Sequence, residues 1–140
     1  MAHDASPHLH RTLPSTYEAL EDIVNETSAF VEEHLDEETG YNVMLLVSEA
    51  VTNAIEHGNQ MEASKQVHVD VRVLTDRIEV SVEDEGVGFN RDQVDHPLDD
   101  ENLLEDSGRG LFLLETLARE VHYEEHGRRI RFVLDHPSQT

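Results

Sequence analysis

The chain reads as an α+β protein: a two-layer α/β sandwich in which helices pack on one face of a mixed, mainly antiparallel sheet. Three observations lead there. Two long stretches place apolar residues at helical spacing, and two adjacent runs alternate strictly between valine or isoleucine and polar residues. The elements follow in the order helix, helix, strand, strand, helix, strand, strand, which suits helices gathered on one face of a hairpin-built sheet.

Residues 1–10 form a polar tail, expected to be flexible, that leads into a short edge strand near Arg11 to Leu13. Ser15 and Glu18 have the spacing of a capping box. Tyr17, Leu20, Ile23, Val24, Thr27, Phe30 and Val31 then predict a first helix over about 16–34. Asp36 to Gly40 reads as a break, and a second helix follows over about 41–57, closed by Gly58. Val67, Val69, Val71 and Val73, then Ile78, Val80 and Val82, predict a hairpin turning at Thr75 and Asp76. Residues 90–107 lack periodicity and are long for a plain loop, as lids are. A third helix is expected from about Arg109 to Arg119, and a closing hairpin turns around Gly127. The whole is one domain, residues 11–136, with a lid at about 90–107.

The chain has 140 residues, enough to bury about two-thirds of its unfolded surface around one core. It has no cysteine, which excludes disulfides and thiolate metal sites. No stretch approaches the roughly 20 apolar residues of a membrane span, and the start lacks the apolar segment of a signal peptide. A cytoplasmic location is expected. Thirty-one acidic residues against ten basic ones give a net charge of −21. Such a chain is repelled by nucleic acid and anionic lipid, so neither is expected as a partner. The acidity is read as suited to a salt-rich cytoplasm, where the screening length falls to about 3 Å at 1 M, rather than as a solubility device alone.

Three motifs carry chemistry. The second helix is apolar on most sides, but Glu49, Asn53 and His57 fall at i, i+4 and i+8 in one polar stripe. A carboxylate and an amide on a buried helix need partners, so the stripe either faces a pocket or is a solvated face. The second hairpin strand runs into Asp84-Glu85-Gly86-Val87-Gly88. By the two-residue period, Asp84 extends the apolar row of Ile78, Val80 and Val82 and needs a donor to accept from. Gly86 and Gly88 allow positive φ and close approach of the backbone to a ligand, although two glycines also make an ordinary acidic turn. Ser107-Gly108-Arg109-Gly110 opens the third helix, where free N–H groups and the helix dipole suit a phosphate. An ordinary cap at Ser107 is the plainer alternative. Of the ten histidines, His8 and His10 are close together and His122 and His126 are four apart. His122 falls in an expected strand and His126 in a turn, so helical i, i+4 metal geometry does not apply to them, and no dedicated zinc site is expected.

The order Glu49-x-x-x-Asn53, Asp84-x-Gly86-x-Gly88, Gly108-x-Gly110 resembles the N, G1 and G2 boxes of the GHKL (Bergerat-fold, histidine-kinase-like) ATPases. The runs Ser48 to Gly58 and Gly108 to Leu114 resemble, more narrowly, the bacterial anti-sigma-factor serine/threonine kinases. The likeness extends over about residues 11–135. It implies ATP and Mg²⁺ as cofactors. By that likeness Asn53 would bind the metal, Glu49 would be the general base, Asp84 would accept from the adenine amino group, and Gly86 and Gly88 would make room for the nucleotide. It likewise implies that Gly108 and Gly110 hinge the lid and present donors to phosphate, and that Arg109 offers charge to it. The implied activity is phosphorylation of a STAS-type anti-anti-sigma protein, with sequestration of a sigma factor by a homodimer. Seven acidic residues in the lid, with only Arg91 as counter-charge, leave a second reading open: a non-catalytic, ATP-binding partner-switching regulator. A third, the ATPase half of a split histidine kinase, has no dimerisation and phosphoacceptor segment before residue 11 to support it.

Overall fold

In the computed structural model, which describes residues 6–86 and 116–136, two helices cover one face of a five-stranded sheet. The elements are β1 (His8–Pro14), α1 (Tyr17–His34), α2 (Glu37–Asn53), β2 (Gln66–Val73), β3 (Arg77–Glu83), β4 (Glu120–Glu124) and β5 (Arg129–Asp135). The strand order is β1-β2-β3-β5-β4. Every pairing is antiparallel, so the sheet is not mixed among the described residues.

One apolar row crosses the whole sheet. Leu9 faces Val71, Val71 faces Val80, Val80 faces Phe132, and Phe132 faces Val121. Cross-strand β-branched and aromatic neighbours are the unit of sheet stabilisation, and this row forms the floor of the core. Ile23 of α1 and Val43, Leu46, Val47 and Val51 of α2 close it from above, all fully buried. At the β1 edge, Arg11 Nε donates to Glu26 Oε1 of α1 at 2.6 Å, so the sheet margin is tied to the helix layer.

Three expected boundaries move, each for a local reason. The edge strand starts at His8 rather than Arg11, because residues 8–14 pair along β2 from Arg72 to Gln66. The first helix is capped by Thr16, whose Oγ1 accepts from the Ala19 N–H at 3.1 Å. Ser15, the expected cap, is buried and donates instead to the Lys65 carbonyl at 2.7 Å. Asp36 to Gly40 is not a break. Asp36 caps α2 by accepting from the Thr39 N–H at 3.1 Å, and Gly40 lies within the helix. A side chain at Gly40 would stand 3.2 Å from Val31 of α1, so glycine there permits close approach of the two helices. Of the expected third helix, residues 116–119 are turn and bend, and the rest lies outside the described residues, as does the lid.

Candidate nucleotide site

α2 does not run straight to Gly58. Its regular turns end at Asn53, and Ala54–Gly58 form one π-helical turn, with the Asn59 N–H donating to the Ala54 carbonyl at 2.8 Å. π turns inside helices recur at functional sites. The wider turn ends the 3.6-residue phasing, so His57 leaves the stripe expected for it. Its side chain is 52% exposed, 3.8 Å from Glu56. Glu49 and Asn53 remain one turn apart on α2, both half-buried.

Asn53 carries the sharpest signal. Its Oδ1 is buried, yet among the described residues it accepts no hydrogen bond. A buried carbonyl oxygen without a donor costs about 1–3 kcal/mol. A hard cation that takes oxygen ligands and keeps waters and phosphate oxygens in its shell fits such an atom, so the residues present suit Mg²⁺.

The π turn delivers Gly58 against the loop after β3. A Cβ at Gly58 would overlap the Asp84 carboxylate, and a Cβ at Gly86 would overlap the Gly58 carbonyl oxygen. Gly86 is therefore required by its contact with the Gly58 backbone, whereas at Gly58 a side chain would displace the Asp84 carboxylate. Of the two uses open to Gly86, positive φ and close approach, it shows the second, here towards the Gly58 backbone; among the described glycines only Gly127 has positive φ, at 88°. Asp84 is half-buried just past the core row, as its parity implied. It finds its donor locally, with the Gly86 N–H at 2.8 Å from Oδ1, while its own N–H donates to the Arg128 carbonyl at 2.9 Å. Burial pushes the Asp84 carboxyl above the usual carboxylate range, against the opposing pull of the Gly86 N–H and Arg128.

Asn59, which was not singled out from the sequence, binds this arrangement together. It is fully buried. Its Nδ2 donates to Ser15 Oγ at 2.9 Å and to the Gln66 carbonyl at 3.0 Å, and its Oδ1 accepts the Glu85 N–H at 2.8 Å. Only the Gly58-Asn59 pair at the end of a helical pattern hinted at it. Thus Gly58, Asp84 and Gly86 converge, with Asn53 five residues before Gly58 on the incoming helix. Gly88, Gly108, Arg109 and Gly110 lie outside the described residues.

The family model described as the histidine kinase-like ATPase domain matches residues 13–134. The chain belongs to that family. Among curated relatives, the serine-protein kinase RsbW of Bacillus subtilis (strain 168) is 36% identical over 91 residues, 61% of this chain and 57% of that protein. The anti-sigma F factor of Clostridium perfringens (strain SM101 / Type A) is 34% identical over 102 residues, 71% of this chain and 73% of that protein. The RsbW of Listeria monocytogenes serovar 1/2a is 35% identical over 92 residues, 60% and 59% of the two chains. The chain thus spans less than two-thirds of the length of these two kinases. No helix among the described residues is long and apolar enough to cross a membrane.

Proposed function

We propose that the chain binds Mg-ATP between α2 and the loop after β3, and transfers the γ-phosphoryl group to a serine or threonine of a STAS-type anti-anti-sigma protein. In the same reading it sequesters a sigma factor in the cytoplasm, as a homodimer, without touching nucleic acid. The observation that carries the nucleotide site is the buried, unpartnered Oδ1 of Asn53, one turn beyond Glu49. The names of the matched relatives support the kinase and anti-sigma parts.

Each residue has a part in this reading. Asn53 Oδ1 holds Mg²⁺, which when bound neutralises charge on the phosphate oxygens. Asp84 accepts from the adenine amino group. Gly86 and Gly88 keep the adenine-side wall free of side chains, and Gly108, Arg109 and Gly110 present donors and charge to phosphate. Glu49 accepts the proton from the attacking hydroxyl. Phosphoryl transfer rests mainly on positioning and electrostatics, so this short set of residues suffices.

Calorimetry of Mg-ATP binding, paired with urea unfolding, tests the site. Asn53→Ala should lose binding while its unfolding midpoint stays level or rises, because the substitution removes an unsatisfied buried oxygen. Wild-type protein that takes up no Mg-ATP would overturn the proposal. With an anti-anti-sigma protein as acceptor, Glu49→Gln should keep nucleotide affinity and lose about 10²–10⁴ in transfer rate. ATP left intact by the wild type beside that acceptor would turn the reading to a non-catalytic regulator.

A further inference from the structure

The sheet face turned away from the helices carries a cluster that the nucleotide site leaves unused. His8 and His10 are two apart on β1, so their rings share one side of the strand. Asp70 stands on β2 directly opposite His10. His8 Nε2 lies 2.7 Å and His10 Nδ1 2.9 Å from the same atom, Asp70 Oδ1. The two ring centres are 6.1 Å apart, and the three donor atoms all lie within 4.8 Å of one another. Burial pushes the Asp70 carboxyl up, but the hydrogen bonds from His8 and His10 outweigh it and hold the group below its usual range. An ionised carboxylate only accepts, so both rings direct an N–H at it. The side chains are 38%, 56% and 35% exposed and therefore reachable from solvent.

We propose that His8, His10 and Asp70 form a site for a borderline divalent cation, Zn²⁺ foremost, that clasps the edge strand β1 to β2. Two imidazole nitrogens and a carboxylate oxygen make up the protein share of a three-ligand zinc site, with bonds of about 2.0–2.2 Å and a fourth position open to water or ligand. Donors at that distance from a tetrahedral centre stand roughly 3.3 Å apart, within reach of small ring rotations here. The nitrogen donors select against Mg²⁺ and Ca²⁺, which take oxygen ligands. On binding, His8 Nε2 and His10 Nδ1 each release their proton to solvent, and each ring takes one back from solvent on its other nitrogen. Each then offers a lone pair, and Asp70 stays ionised. An open groove lined by His10, His68, Asp70, Ser81, Glu83 and Arg129 gives entry, and the net charge of −21 concentrates cations around the chain. The histidine spacing alone supplied two ligands; the third comes only from the β1–β2 register.

The test is ZnCl₂ titration of the full chain by calorimetry, with saturating Mg²⁺ present so that the nucleotide site is not read. Co²⁺ absorption in the visible is a second readout. One equivalent should bind, raise Tm and give the intense bands of tetrahedral Co²⁺. Affinity should fall at least about tenfold in His8→Gln, in His10→Ala and in Asp70→Asn, with the bands lost. His122→Ala, in a histidine whose nearest acid is Glu120 at 3.0 Å, should bind as the wild type does. Equal affinity in the wild type and the three site variants would overturn the proposal by placing the ion elsewhere on the acidic surface. Absence of binding by the wild type would overturn it too.

Discussion

Asn59 Oδ1 accepts the backbone N–H of Glu85 at 2.8 Å, so the end of the α2 turn and the loop after β3 are held by one side chain. The same amide reaches Ser15 and Gln66, so a single buried residue sets the spacing between the start of α1, the start of β2 and the loop after β3. Asn59→Ala would leave the Glu85 N–H and the Gln66 carbonyl without these partners. The expected loss is about 3 kcal/mol of stability, read as a lower urea midpoint, together with weaker Mg-ATP binding. A variant of wild-type stability would show that water replaces the amide at no cost.

The two glycines at the loop contact should fail differently. At Gly86 the obstacle is the Gly58 backbone carbonyl, which cannot swing aside, whereas at Gly58 it is the Asp84 side chain, which can. Gly86→Ala should therefore cost about 1–3 kcal/mol of stability. Gly58→Ala should cost less stability but displace Asp84, the proposed adenine acceptor, so its main effect is expected on ATP affinity. Thermal unfolding and nucleotide titration of both variants check the split. Equal stability losses would contradict it.

Asp84 has two pH consequences of opposite sign. Because burial raises its pKa above 3.8, the folded state holds the proton more tightly than the unfolded chain. Asp84 thus costs the fold nothing below 3.8, and a growing amount as the pH climbs through its folded value. The stability advantage of Asp84→Asn over wild type should accordingly be small in acid and grow through that window. ATP affinity of the wild type should move the other way. In the proposed role of Asp84 it weakens on acidification through the same window, because a protonated carboxyl is a poorer acceptor for the adenine amino group. Urea unfolding and ATP titration at a series of pH values would show both trends, and a stability difference that stays flat with pH would refute the first.

Much of this architecture was legible in the chain. The valines of β2 and β3 alternate because one sheet face is buried, and the stripe at Glu49 and Asn53 stands out because the rest of α2 is apolar. Less legible was whatever depends on partners distant in sequence. Ser15 resembles a cap until Lys65, fifty residues away, claims its hydroxyl. Asn59 resembles a loop residue until three strangers converge on it. Asp70 resembles any polar residue on a strand until the register sets His10 beside it. The π turn was hidden for another reason. Ala54 to Gly58 has the composition of an ordinary helix end, and nothing local announces one residue too many.

That extra residue makes chain length, as well as side-chain identity, a determinant of the site. Removing one residue between 54 and 58 would turn the π turn back into an α-helical one and change the angle at which the chain leaves the helix, altering how Gly58 meets Asp84. A related chain could keep every residue named at the site and still lose it through a single-codon deletion there.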